Sequence, residues 1–195
     1  MSQPRPSPID VPASNIPGEF SQEERSLLLR AAHDSILAAL ERREILSDAP
    51  TSHFAEPRGA FTSLYLRDNL RGCVGYVLPV GSVYRAVIET ARAAAFEDTR
   101  FHPVTLEEAQ HVQIELSILS VPQSISPEEV EVGRHGLLIT AGFRRGLLLP
   151  QVAVEHNWDR VTFLEQTCRK AGLPCDAWQT GATVEAFTAE VFGEK

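Results

Sequence analysis

The chain has 195 residues, 43% of them hydrophobic and 23% charged, with a formal net charge of -8. That length fits one ordinary globular domain or two small halves sharing a core, and the composition is neither that of a disordered chain nor that of a membrane protein. The acidic balance argues against holding polynucleotides mainly by phosphate neutralisation, no apolar run is long enough to span a bilayer, and the N-terminus lacks the apolar core of a secretory signal, so a cytoplasmic protein is expected.

Residues 1–18 carry Pro4, Pro6, Pro8, Pro12 and Pro17, which predicts a disordered tail ahead of a single domain over 19–195. Order is expected to begin at "SQEERSLLLRAAHDSILAALER", where Ser21 and Glu24 have capping-box spacing and Leu29, Ala32, Ile36 and Leu40 form one apolar stripe. Pro50 and Pro57 then forbid a long regular element. From Ala60 to Val77 the text reads as a β-hairpin turning at Asp68 and Asn69, closed by Pro79 and Gly81. "SVYRAVIETARAAAFED" predicts a helix capped by Ser82, with Val83, Val87, Ala91 and Ala94 on one face. Thr105 and Glu108 repeat the capping-box spacing ahead of a short helix.

"HVQIELSILS" alternates, with Val112, Ile114, Leu116 and Ile118 on a core face and Gln113, Glu115, Ser117 and Leu119 on the other. "GLLITAGFRRGLLLPQV" reads as a second hairpin turning at Gly142, with Pro150 marking an edge strand or a strand end. "DRVTFLEQTCRKAGLP" reads as a helix stopped by Gly172 and Pro174, and "TVEAFTAEVF" as a last strand. The expected class is α+β, a mainly antiparallel sheet packed with helices.

Chemistry concentrates in "LRGCVGY". Residues two apart on a strand share a face, so Arg71 and Cys73 are expected side by side, and a guanidinium next to a thiol favours the nucleophilic thiolate. Gly72 and Gly75 clear bulk from around that thiol, either for a ligand or for a packed backbone. The competing reading is a small buried cysteine. Further charged groups are available at Asp98 and Arg100 in "EDTRF" and at Glu115, and His102, which follows Arg100 and Phe101, is the histidine that could approach Cys73 as a base. Cys168 and Cys175 lack metal-knuckle spacing, and no nucleotide-binding or serine-hydrolase motif occurs, so neither metal nor cofactor is expected. Arg134, Arg144 and Arg145 are the local basic cluster to test for nucleic acid.

These residues resemble a family. "LRGCVGY" is similar to the LRGCIG signature of the AMMECR family, whose microbial members are called AmmeMemoRadiSam system protein A, and the likeness continues through "AAAFEDTRFHPVTLEE", "VQIELSILSVPQSI", "GRHGLLI" and "GLLLPQVAVEHNWDRVTFLEQTCRKAGLP". It implies an α+β fold of a larger and a smaller subdomain with the signature near a cleft. It also implies association with a Memo-type protein and a radical SAM enzyme, and no established reaction. The signature falls on Leu70, Arg71, Gly72, Cys73, Val74 and Gly75, and the second motif on Phe96, Asp98, Arg100 and Phe101. Glu115 and Ser117 take the polar places of the strand motif, and Thr99 stands where proline is common.

Two functions follow as expectations. In the first, Cys73 is a nucleophile or covalent carrier assisted by Arg71, Glu115 and Asp98. In the second, Gly72, Gly75, Arg100 and Ser117 help to form a small-molecule or partner site in which arginines recognise an anion.

Overall fold

The computed structural model describes residues 18–45, 48–79 and 81–194. The tail reading of residues 1–18 therefore falls outside the described residues except for Gly18. The chain divides into two compact units, one of Met1–Leu119 with Glu190–Lys195 and the other of Ser120–Ala189. Each is a four-stranded antiparallel arrangement with helices, an α+β fold.

The first unit begins with helix α1, Gln22–Glu41, started by the expected capping box: Ser21 accepts from the Glu24 amide and Glu24 from the Ser21 amide. It ends at Arg42 in the left-handed conformation. Strands β1, Ala60–Leu66, and β2, Asn69–Tyr76, form the hairpin. Its turn is Arg67 and Asp68, one residue earlier than the sequence suggested, both with positive φ as a two-residue hairpin turn demands.

Helix α2, Val83–Phe96, is capped by Ser82 and lies across this hairpin. Alanines on its buried side let it come close: a Cβ on Gly72 would sit 2.1 Å from the Ala94 carbonyl oxygen. The hydroxyls of Thr62 and Thr90 meet at 2.8 Å in the same contact, and Thr90 also donates to Ala86. Helix α3, Leu106–Ala109, has the Thr105–Glu108 capping box. Strand β3, Gln113–Leu119, buries Ile114, Leu116 and Ile118 as the alternation required. With β8, Ala189–Gly193, the sheet order is β2-β1-β3-β8, so β2 is an edge.

The second unit has sheet order β4-β7-β5-β6, with β4 Gln123–Ser124, β5 Gly136–Ala141, β6 Arg144–Leu148 and β7 Thr183–Phe187. The β5–β6 turn lies at Gly142, φ 59°, as read from the sequence. Helix α5, Arg160–Lys170, is capped by Asp159 and terminated by Gly172, and it buries Phe163, Leu164 and Cys168 against Leu137 and Ile139.

Two sequence readings change. Pro150 does not merely end a strand but opens helix α4, Pro150–Glu155, where its missing N–H costs nothing. "TVEAFTAEVF" is two strands in different sheets, β7 and β8, because the chain leaves one sheet at Thr188 and enters the other at Ala189. Among the described residues no helix is long and apolar enough to cross a membrane.

Candidate functional site

Antiparallel pairing places three polar side chains in one row across the first sheet. Ser63 on β1 is opposite Cys73 on β2 and also opposite Glu115 on β3. Helix α2 covers the other face, where Thr62, Leu64, Leu116 and Gly72 are buried, whereas Ser63, Cys73, Glu115 and Ser117 remain half-buried. The Ser63 hydroxyl donates to the Cys73 sulfur at 3.3 Å.

The closeness has a backbone cause. Cys73 directs its own N–H and C=O outward from the edge rather than toward β1, which makes Ser63 and Cys73 the closely spaced kind of antiparallel pair. The outward groups are taken by the loop after α2: the Cys73 amide donates to Asp98 at 2.9 Å, and Arg100 donates to the Cys73 carbonyl at 3.4 Å. Asp98 and Arg100 are bonded to each other, Nη2 to Oδ2 at 2.7 Å and Nε to Oδ1 at 2.9 Å. A carboxylate and a guanidinium thus occupy the hydrogen-bonding positions of an absent fifth strand. The Asp98 side chain is only 6% exposed, and the Arg100 guanidinium beside it holds its carboxyl well below the usual carboxylate range.

Arg71 is placed differently from its expected position beside the thiol. The β1–β2 register shifts between Leu64, opposite Gly72, and Tyr65, opposite Leu70, so Arg71 is the extra residue of a β-bulge. Its guanidinium grips Glu108 at two points, 3.1 and 3.0 Å, and donates to the carbonyls of His102 at 2.8 Å and Pro103 at 3.3 Å. This contact holds the Glu108 carboxyl below its ordinary value and ties α3 to the hairpin. None of these four bonds reaches Cys73.

The motif glycines serve close packing on both faces. Gly72 admits α2, and Gly75 lies under the Phe61 ring, which a Cβ would approach to 2.2 Å. Ser117 stands opposite Phe61 on the far side of β1. A cavity of about 410 Å³ lies at the end of α1, and another, of about 580 Å³, is lined by Arg71, Arg100, Phe101, His102, Pro103 and Glu108.

Cys73, Asp98 and Arg100 are therefore brought into direct contact, Glu115 is aligned with them one strand beyond Ser63, and Arg71 is drawn to Glu108. Ser63 and Glu108 escaped sequence reasoning. Ser63 could have been found only from the bulged register, and Glu108 had been assigned solely to its cap. Arg134 pairs with Glu131, and Arg144 donates to Gly172, so these two are engaged locally. All three cysteines are free thiols; Cys168 is buried, which pushes its thiol up. Among the described residues Glu19, His53 and Glu56 have ligand atoms within 4.8 Å of one another, but Arg58 pairs with both carboxylates and supplies the cation there.

The comparisons with known proteins follow the same residues. A protein of Aquifex aeolicus is 41% identical over 178 residues, 86% of this chain and 91% of that one. Protein MK0488 of Methanopyrus kandleri is 40% identical over 189 residues, 91% of each. The crystal structure of the uncharacterised protein PH0010 from Pyrococcus horikoshii is similar with a TM-score of 0.71 and 38% identity, covering 87% of this chain and 90% of that one. A family model described as AMMECR1 matches residues 29–192, from α1 through β8 and across the whole cysteine row, and the chain belongs to that family.

Proposed function

We propose that Cys73 is a nucleophile or covalent carrier for a small electrophile, in a protein that acts with a Memo-type protein and a radical SAM enzyme. The partners rest on the family resemblance, and the chemistry rests on the setting of the thiol. A half-buried sulfur receives a hydroxyl hydrogen bond at 3.3 Å while both polar groups of its own backbone are held by Asp98 and Arg100. A donor aimed at sulfur stabilises negative charge there, and a clamped backbone fixes the direction of attack.

In the reaction a sulfur–carbon bond forms, the leaving group departs with its bonding pair, and the thiol proton is lost to solvent or to Glu115 beyond Ser63. Asp98 is too weak a base for that task, given its engagement with Arg100, and acts as a positioning residue. A non-catalytic anion site built on Arg71 and Arg100 is the poorer reading, since each guanidinium already pairs with a carboxylate.

The test is alkylation of the native protein by iodoacetamide at neutral pH, with each cysteine followed by mass spectrometry. Cys73 is expected to react first and buried Cys168 last. Ser63→Ala is expected to slow Cys73 about three- to tenfold, the equivalent of one modest hydrogen bond. Modification of Cys73 only after unfolding would overturn the proposal.

A further inference from the structure

Away from the cysteine row, the cavity of about 410 Å³ at the C-terminal end of α1 is floored by Ser35, Ala38 and Ala39. Three arginines line it: Arg42 and Arg43 follow α1, and Arg92 comes from α2. Small floor residues give the space its depth, and its volume is that of an ordinary small-molecule site.

The charged groups lining this space are three arginines against one carboxylate, Glu44. A helix C-terminus normally presents unsatisfied carbonyls, which would repel an anion. Here the Arg42 amide bonds the carbonyls of Ala38 and Ala39, and the Arg43 amide bonds Ala38 again. Arg43 is held by Asp34 and Glu41. Among the described residues neither the Arg42 guanidinium nor that of Arg92 has a hydrogen-bond or ion-pair partner, and Glu44 is the one carboxylate lining the cavity. In a chain of net charge -8, two unpaired guanidiniums lining one cavity, one from the end of α1 and one from α2, are an unusual concentration of positive charge.

We propose that this cavity binds the phosphate group of a small phosphorylated molecule. One guanidinium saturates a planar carboxylate through its two parallel donors. Guanidiniums carried by separate elements of one cavity wall instead suit a tetrahedral, doubly charged group with oxygens facing several directions.

The experiment is calorimetric titration of the full chain with pyrophosphate, and separately with citrate. Pyrophosphate is expected to bind saturably at one site and to weaken about tenfold in Arg92→Ala and in Arg42→Ala, the loss of one charge-assisted contact each. Glu44→Gln is expected to tighten it. Arg145→Ala, which removes a positive charge from the other unit, is expected to leave it unchanged. The proposal is overturned by absent or unsaturable pyrophosphate binding, by binding of citrate alone, or by an equal loss in Arg145→Ala. The three arginines replaced are exposed, so folding of the variants is not at issue.

Discussion

Gly72→Ala adds one methyl group at the point where α2 rests on the hairpin. Its Cβ would lie 2.1 Å from the Ala94 carbonyl oxygen and 3.0 Å from the carbonyl carbon, both backbone atoms that cannot rotate aside. To restore contact distance, α2 must retreat by about 1 Å. That retreat loosens Val83, Val87, Ala91 and Ala94 in the core and stretches the 2.8 Å bond between Thr62 and Thr90 beyond useful length. Overpacking of this kind costs about 1–3 kcal/mol, and weakening a buried hydrogen bond adds about 1 kcal/mol, giving a loss of about 3 kcal/mol. Gly142→Ala is the control, since Gly142 has φ 59° and open space around its missing Cβ. Only backbone strain of about 1 kcal/mol applies there. Urea unfolding followed by circular dichroism compares the two. If Gly72→Ala lay within about 0.5 kcal/mol of the parent protein, or lost less than Gly142→Ala, the steric account would fail and Gly72 would have to be explained by ligand access.

Arg71→Gln and Glu108→Gln, alone and together, are expected to show a coupling of about 1 kcal/mol in a double-mutant cycle, modest because Glu108 is 27% exposed. No loss of stability in Arg71→Gln would show that its contacts with Glu108, His102 and Pro103 do not support the fold. His53 binds Glu24 at 2.7 Å and stacks on Phe20 with ring centres 4.6 Å apart, and the Glu24 bond raises its proton affinity above the ordinary value. A raised histidine stabilises fully below its unfolded value of about 6.5 and loses that contribution as pH climbs through the folded value. The stability gap between the parent and His53→Gln is therefore expected to be widest below the unfolded value and to close as the pH rises above it. A gap independent of pH would refute the charged pairing.

Much of the architecture was legible because it is written locally. The caps at Ser21, Ser82 and Thr105 each require only a side chain and an amide three residues away, and all three form as read. The alternation through Ile114, Leu116 and Ile118 likewise gave β3 its buried face. The first hairpin's turn was misplaced by one residue because Arg67, a poor left-handed residue by type, is held at φ 52° by the pairing on either side. His53 is gathered against Phe20 and Glu24, which lie about thirty positions away in sequence, so no local pattern marks these contacts.

The candidate site was legible as a set of residue types and not as a set of contacts. Cys73, Asp98, Arg100 and Glu115 were all named, but Asp98 turned out to hold the Cys73 backbone rather than its thiol. Counting back from the true turn without a bulge would set Cys73 opposite Thr62, which faces α2. The bulge at Arg71 sets it opposite Ser63 on the half-buried face instead. By itself the sequence determined the α+β class, the starts of α1, α2 and α3 and the membership of the polar face, since these follow from capping and periodicity over a few residues. Only the tertiary structure decided which face the thiol takes, that Arg71 serves Glu108, and that one ten-residue segment supplies strands to two sheets. Register and ion pairing depend on which distant groups reach each other first, and no local period encodes that.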